Sequence, residues 1–143
     1  MRDAPARMAA LARDGWRAVE AVGVMSRFGT ILQRGDPGEA RFGMLVEPHH
    51  RGDDGSLAQG ALLIFLDYAV GRAAVPAHGL GIVTLQLQTN FIAPVPVGAF
   101  LTSESRLMAA EGALLYLRAS VMVGDRLVAT ADGVWKVLAL PRE

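Results

Sequence analysis

The sequence predicts an α+β fold, an antiparallel sheet wrapped around one central apolar helix. Three observations predict it. A helix candidate from about Leu57 to Ala74 is apolar on nearly every side, and a helix of that kind must be covered by protein on most faces. Four strand candidates follow it, two of their three separators short enough for antiparallel hairpins. Two more strands precede it, and blocks of strands around one helix argue against a βαβ alternation.

The elements come in order. Residues 5 to 22 carry Met8, Leu11, Trp16, Val19 and Val22 at three-to-four spacing, which predicts a packing helix, although Gly15 weakens it. An N-terminal helical segment is therefore expected over residues 1–26. β-prone runs from Phe28 to Arg34 and from Ala40 to Val46 flank Gly35-Asp36-Pro37-Gly38, strong turn chemistry that predicts a hairpin. Pro48 to Gly55 is a polar loop, and Ser56 is placed to cap the following helix. From Val83 to Ile92 apolar and polar residues alternate, which predicts a strand with one apolar and one polar face. Pro94 and Pro96 break it. Ala99 to Met108, Ala113 to Val123 and Arg126 to Leu138 complete the strands, divided by Ala110-Glu111-Gly112 and Gly124-Asp125.

Length and composition bound the function. The 143 residues fit a single domain over 1–143. A formal net charge of zero gives no support to a nucleic-acid surface. Without cysteine there is no disulfide and no thiolate chemistry. The first residues show no secretion pattern, because Arg7, Arg13, Asp14 and Arg17 interrupt them. The most apolar run, Gly60 to Leu66, is far short of the ~20 residues a membrane span needs. The chain reads as soluble, with cytoplasm as the default compartment. Its 52% hydrophobic content points to surface buried in an oligomer.

Asp67 is the misfit of the central helix. Helical geometry puts Ile64, Leu63, Gly60 and Gln59 on its face, with Gly71 one turn later. Glycine at 60 and 71 leaves room for a ligand or another backbone. Gln59 and Gly60 lie in the first turn, where amide N–H groups lack intrahelical acceptors. A carboxylate two turns from free amides suits a base or nucleophile facing an oxyanion hole. The plain alternative is an acid that faces solvent or pairs with Arg72.

The stretch Gly52-Asp53-Asp54-Gly55-Ser56-Leu57-Ala58-Gln59-Gly60, followed by Ala61 to Gly71, resembles the hotdog-fold acyl-CoA thioesterases of the PaaI-like (phenylacetate-type) branch. That family carries N-x-x-G-x-x-H-G-G before a helix with an acid nine residues after the His. Val83 to Pro94 is similar to its next strand, and the likeness runs over roughly residues 28–138. The resemblance implies a hotdog fold, a homodimer at least and often a tetramer, with sites at the subunit interface. It implies Asp67 as general base or nucleophile and the backbone N–H of Gln59 as oxyanion donor. Thr84 matches a strand hydroxyl that positions water or substrate. Gly60 matches the second glycine, and Gly52 stands where the family has Asn; these two and Asn90 are the substrate-binding positions. The expected His-Gly-Gly is Ala58-Gln59-Gly60 here. No cofactor is implied beyond coenzyme A as part of the substrate.

The function so implied is hydrolysis of an acyl-CoA-type thioester to free acid and thiol. The altered motif motivates an alternative, a non-catalytic hotdog module that binds acyl-thioesters or serves as an oligomeric scaffold. Hydratase chemistry would want a His–Asp pair, and the helix supplies no His. His49 and His50 could serve acid–base chemistry, but solvated loop histidines are the commoner case; His78 reads as a surface turn residue. No His/Asp/Glu cluster has metal-ligand spacing, so no metal is expected. Arg106, Arg118 and Arg126 read as solvated strand arginines that could meet coenzyme A phosphates.

Overall fold

The computed structural model describes residues 3–36, 39–74 and 81–138. Pro5 sits in the first turn of α1 (Ala4–Arg13), where its fixed φ suits a helix start. The helix stops because Gly15 takes a φ of 89°. A two-residue strand, β1 (Arg17–Ala18), and a short helix, α2 (Val24–Phe28), follow. The helix expected over 5–22, within a helical segment over 1–26, is thus two short helices with a strand between them. Trp16 at the bend packs edge-on against Phe100, ring centroids 5.1 Å apart.

β2 (Ile31–Arg34) and β3 (Arg41–Leu45) pair antiparallel across the expected turn, whose Pro37 and Gly38 lie outside the described residues. The polar loop after Val46 contains a 3-10 turn over Pro48–His50. Then come α3 (Gln59–Ala73), β4 (Gly81–Phe91), β5 (Phe100–Glu111), β6 (Leu114–Val123) and β7 (Arg126–Leu138). All strands join one antiparallel sheet in the order β1-β2-β3-β5-β6-β7-β4. The sheet wraps α3, whose Phe65, Leu66, Ala69 and Val70 meet a core that includes Met44, Leu101, Leu117, Val121 and Trp135. This is the expected α+β hotdog architecture.

Two details differ from the sequence expectation. Ser56 does not cap α3: the N-cap is Ala58, without a side-chain bond, and the Ser56 hydroxyl turns back to Asp54. Nor is α3 covered all round. Gly60, Leu63, Ile64 and Asp67 recur at helical spacing and form an exposed strip along it.

The alternation of β4 also changes phase. A bulge between Thr84 and Gln86 interrupts its pairing with β7. Ile82 and Thr84 face α3 before it, and Leu87 faces the core after it. Val83 and Leu85 are thrown outward, 41% and 55% exposed. A residue on β7 makes room for the bulge: at Gly133 a Cβ would collide with the Gln86 carbonyl. β4 is the edge of the sheet and carries unpaired backbone on its outer side. No helix among the described residues is long and apolar enough to cross a membrane.

Candidate active site

The loop before α3 is held by its own backbone. Gly52 N–H donates to the Ser56 carbonyl at 2.7 Å, and Gly55 N–H to the Gly52 carbonyl at 3.1 Å. Asp54 accepts from the Ser56 amide at 3.0 Å and from its hydroxyl at 2.8 Å. Those bonds, the amide first, hold the Asp54 carboxyl below the usual carboxylate range. The loop is docked by Leu57 N–H on the Val95 carbonyl and Ala58 N–H on the His50 carbonyl, both at 2.8 Å.

Ala58 therefore enters the helix extended, with φ −60° and ψ 136°, and Gln59 is the first helical residue. No residue other than glycine has a positive φ among the described residues, so Gln59 fits where the family pattern has glycine without backbone strain. The first α3 amide with an acceptor in the chain is that of Leu62, bonded to the Ala58 carbonyl. Among the described residues the N–H groups of Gln59, Gly60 and Ala61 have no acceptor, and they stand at the positive end of the helix dipole. A Cβ on Gly60 would meet nothing within 4 Å, so this turn is open to an approaching group.

A groove of about 650 Å³ opens beside this turn. Gly52, Asp53, Leu57, Gln59 and Leu62 line one side, and Phe91, Ile92 and Val95 the other. Neither Asp67 nor Thr84 lines it.

Asp67 lies two turns further along the exposed strip. The Thr84 hydroxyl donates to its Oδ1 at 2.6 Å, a short charge-assisted bond that fixes the carboxylate. The second oxygen has no partner among the described residues and is free to take a proton. Eight residues separate Gln59 from Asp67, about 12 Å along the axis at helical rise. One chain thus holds an amide pocket and a poised carboxylate that cannot meet each other.

A family model, the thioesterase superfamily, matches residues 54–130, from the loop through α3 into β7. The chain belongs to the thioesterase superfamily. No curated protein matches the chain. Solved structures similar to this thioesterase-superfamily chain include a conserved protein, PA5202, from Pseudomonas aeruginosa. It is 28% identical over 82% of this chain and 95% of that one, with a TM-score of 0.70. The E. coli PaaI protein of the phenylacetic acid degradation operon is 21% identical over 76% and 80%, TM-score 0.69. The Streptococcus mutans protein smu.793, solved bound to acetyl CoA, is 16% identical over 90% and 92%, TM-score 0.68.

Within this fold the structure brings together Asp67 with Thr84, and Gln59 with Gly52 at the groove, while Gly60 lies next to Gln59 in the first turn of α3 without lining the groove. Asn90 is not drawn to either: its amide donates to the Thr130 hydroxyl at 3.3 Å on the exposed sheet. Gly71 does not leave space near Asp67. Its Cβ would lie 2.7 Å from Trp135 Cδ1, so its smallness admits that buried ring. Arg72 does not pair with Asp67 either; its guanidinium stacks over the Tyr68 ring at 3.9 Å.

His50 departs from the solvated loop residue expected. It is 2% exposed and packs against Phe28. Its Nδ1 accepts from Glu47 N–H at 3.0 Å, so Nε2 carries the proton and donates to the Phe28 carbonyl at 2.5 Å. Burial holds its pKa below the ordinary imidazole value, against the opposing bond to Phe28. Glu47, His49 and His50 gather ligand atoms within 4.8 Å, a grouping that sequence spacing did not suggest. Both His50 nitrogens are already bonded, which leaves no lone pair for a metal. His49 is exposed and shares the Phe28 carbonyl at 2.7 Å; His78 lies outside the described residues. The 3-10 turn that carries His50 has a sequence signal in Glu47-Pro48-His49-His50, a helix-start pattern with Pro at the first position, but the burial of His50 has none. The signal for the role of Asp54 in this loop lies in Asp54-Gly55-Ser56, the pattern of a side-chain-to-backbone turn.

Proposed function

We propose that this protein hydrolyses an acyl-CoA-type thioester to free acid and thiol. The observation that carries the reading is the Thr84–Asp67 bond: it holds a carboxylate open to solvent on an otherwise apolar helix strip, one oxygen engaged and one free. Asp67 acts as general base on water, or as nucleophile on the thioester carbonyl. In the base route the water oxygen bonds to the carbonyl carbon and its proton passes to Asp67. The Gln59 N–H of the opposing subunit donates to the oxyanion. Collapse breaks the C–S bond, and the proton on Asp67 leaves with the thiolate.

The 12 Å separation within one chain supports a homodimer as the working unit, since another copy can bring its Gln59 amide to Asp67 where the chain's own cannot reach. Leu63 and Ile64, 37% and 38% exposed beside Asp67, supply apolar surface for that contact. The bound acetyl CoA in the smu.793 structure supports coenzyme A esters as the substrate class.

The test is release of free thiol from a panel of short, medium and aromatic acyl-CoAs by the purified protein. Asp67→Asn is expected to lower kcat by at least about 100-fold, the lower end of what a base contributes. Equal rates for Asp67→Asn and parent on every ester would overturn the mechanism. Saturable binding without turnover would establish the second reading, a binding module, which the Gln59 side chain at the pocket mouth favours.

A further inference from the structure

From the charge on the groove beside the α3 N-terminus we infer that the site selects thioesters of uncharged acyl groups and rejects those ending in a carboxylate, with Asp53 as the specificity-determining residue. The inference rests on the thioesterase reading above and deepens it.

The groove walls are apolar where Leu57, Leu62, Phe91, Ile92 and Val95 face in. Their contact favours a hydrocarbon or aryl tail. Among the described residues the only charged ones lining it are Asp53 and Asp54, with no Lys, Arg or His. Asp54 is committed as an anion by the Ser56 amide and hydroxyl. The Asp53 side chain has no partner among the described residues and is exposed at the rim. An anionic tail would leave its hydration against two like charges with no counterion.

The same charges orient the substrate. One arm of the ester lies in the groove when its carbonyl meets the Gln59 amide. The coenzyme arm ends in phosphates, which the two carboxylates repel. The acyl arm therefore occupies the groove, and the coenzyme leaves by the other side.

Hexanoyl-CoA and adipoyl-CoA test this, matched in carbon count and differing in a terminal carboxylate. The full-length protein is expected to favour the hexanoyl ester by about tenfold or more in kcat/KM at low salt, a ratio that shrinks as salt screens the rim. Asp53→Asn is expected to narrow the ratio several-fold, and Asp53→Lys to bring it near or below unity. Calorimetric binding of both esters to Asp67→Asn protein should show the same order without turnover. Turnover of both esters at similar rates, or a ratio that Asp53 variants leave unchanged, overturns this inference and leaves the thioesterase reading standing. Discrimination in binding with no turnover by the parent upholds the inference and overturns the hydrolase reading. Failure to bind either ester overturns both.

Discussion

A hydroxyl and a carboxylate 2.6 Å apart carry the proposed chemistry at the residue scale. Thr84→Val keeps the branched shape and removes only the donor to Asp67. Charge-assisted hydrogen bonds contribute about 1.5–3 kcal/mol, so kcat should fall roughly 10- to 100-fold with little change in melting temperature. A loss in KM alone would instead make Thr84 a binding contact. His50 belongs to the same scale, acting on stability. Its folded pKa is depressed, so as pH falls the unfolded chain takes up the proton first. The stability it contributes is full above the unfolded value near 6.5 and is lost as pH falls through the folded value. Melting temperature should therefore drop between pH 7.5 and pH 5 more steeply in the parent than in His50→Gln, which cannot titrate. Asp67 stands out in the sequence because an acid in an apolar helix is costly without a role, whereas Thr84 is expected there only from the family resemblance; the structure pairs the two. His50 was not legible: its burial depends on Phe28, a residue 22 positions away.

At the scale of elements, turn chemistry made the strands legible, and β2 to β7 fall within a few residues of where glycine, proline and aspartate place them. What the sequence could not disclose is the phase of β4. An unbroken alternation from Val83 to Ile92 predicts one continuous apolar face; the bulge at Leu85 exchanges faces midway. That bulge depends on Gly133, on a neighbouring strand, so no local window reveals it. It also sets Thr84 and Leu87 on the same side of the sheet. Gly133→Ala should consequently destabilise the fold by about 1–3 kcal/mol, read by denaturant unfolding, with activity falling as Thr84 moves away from Asp67. Gly71→Ala meets Trp135 and should cost stability in the same range. Its nearest contact with β4 is the flexible tip of the Ile82 side chain, 3.2 Å from the added Cβ, so the β4 backbone stays in place and activity per folded molecule should hold. The difference between the two variants separates a glycine that sets register from one that sets packing.

At the scale of the whole molecule, the proposed mechanism requires an amide pocket and a carboxylate about 12 Å apart in one chain to serve one carbonyl. In the proposed mechanism a two-fold dimer would provide two sites, each with the acid of one chain and the Gln59 amide of the other. Gln59→Pro gives a clean probe of the amide. Gln59 is the first helical residue, where proline is tolerated, and Ala58 already has the extended ψ of 136° that a following proline demands. The variant therefore deletes the N–H while sparing the helix. Asp67→Asn and Gln59→Pro proteins should each be nearly inactive. Unfolded together and refolded as an equal mixture, half of the dimers combine the two variants. Each of those has one site with both Asp67 and the Gln59 amide intact, and one site lacking both. Activity should return to about a quarter of the parent's. A site complete within one chain predicts no recovery at all, because neither chain then carries both groups. Leu85→Asp in each parent chain should abolish the recovery if the edge strand β4 forms the contact between subunits, and size-exclusion chromatography would show the corresponding shift to monomer.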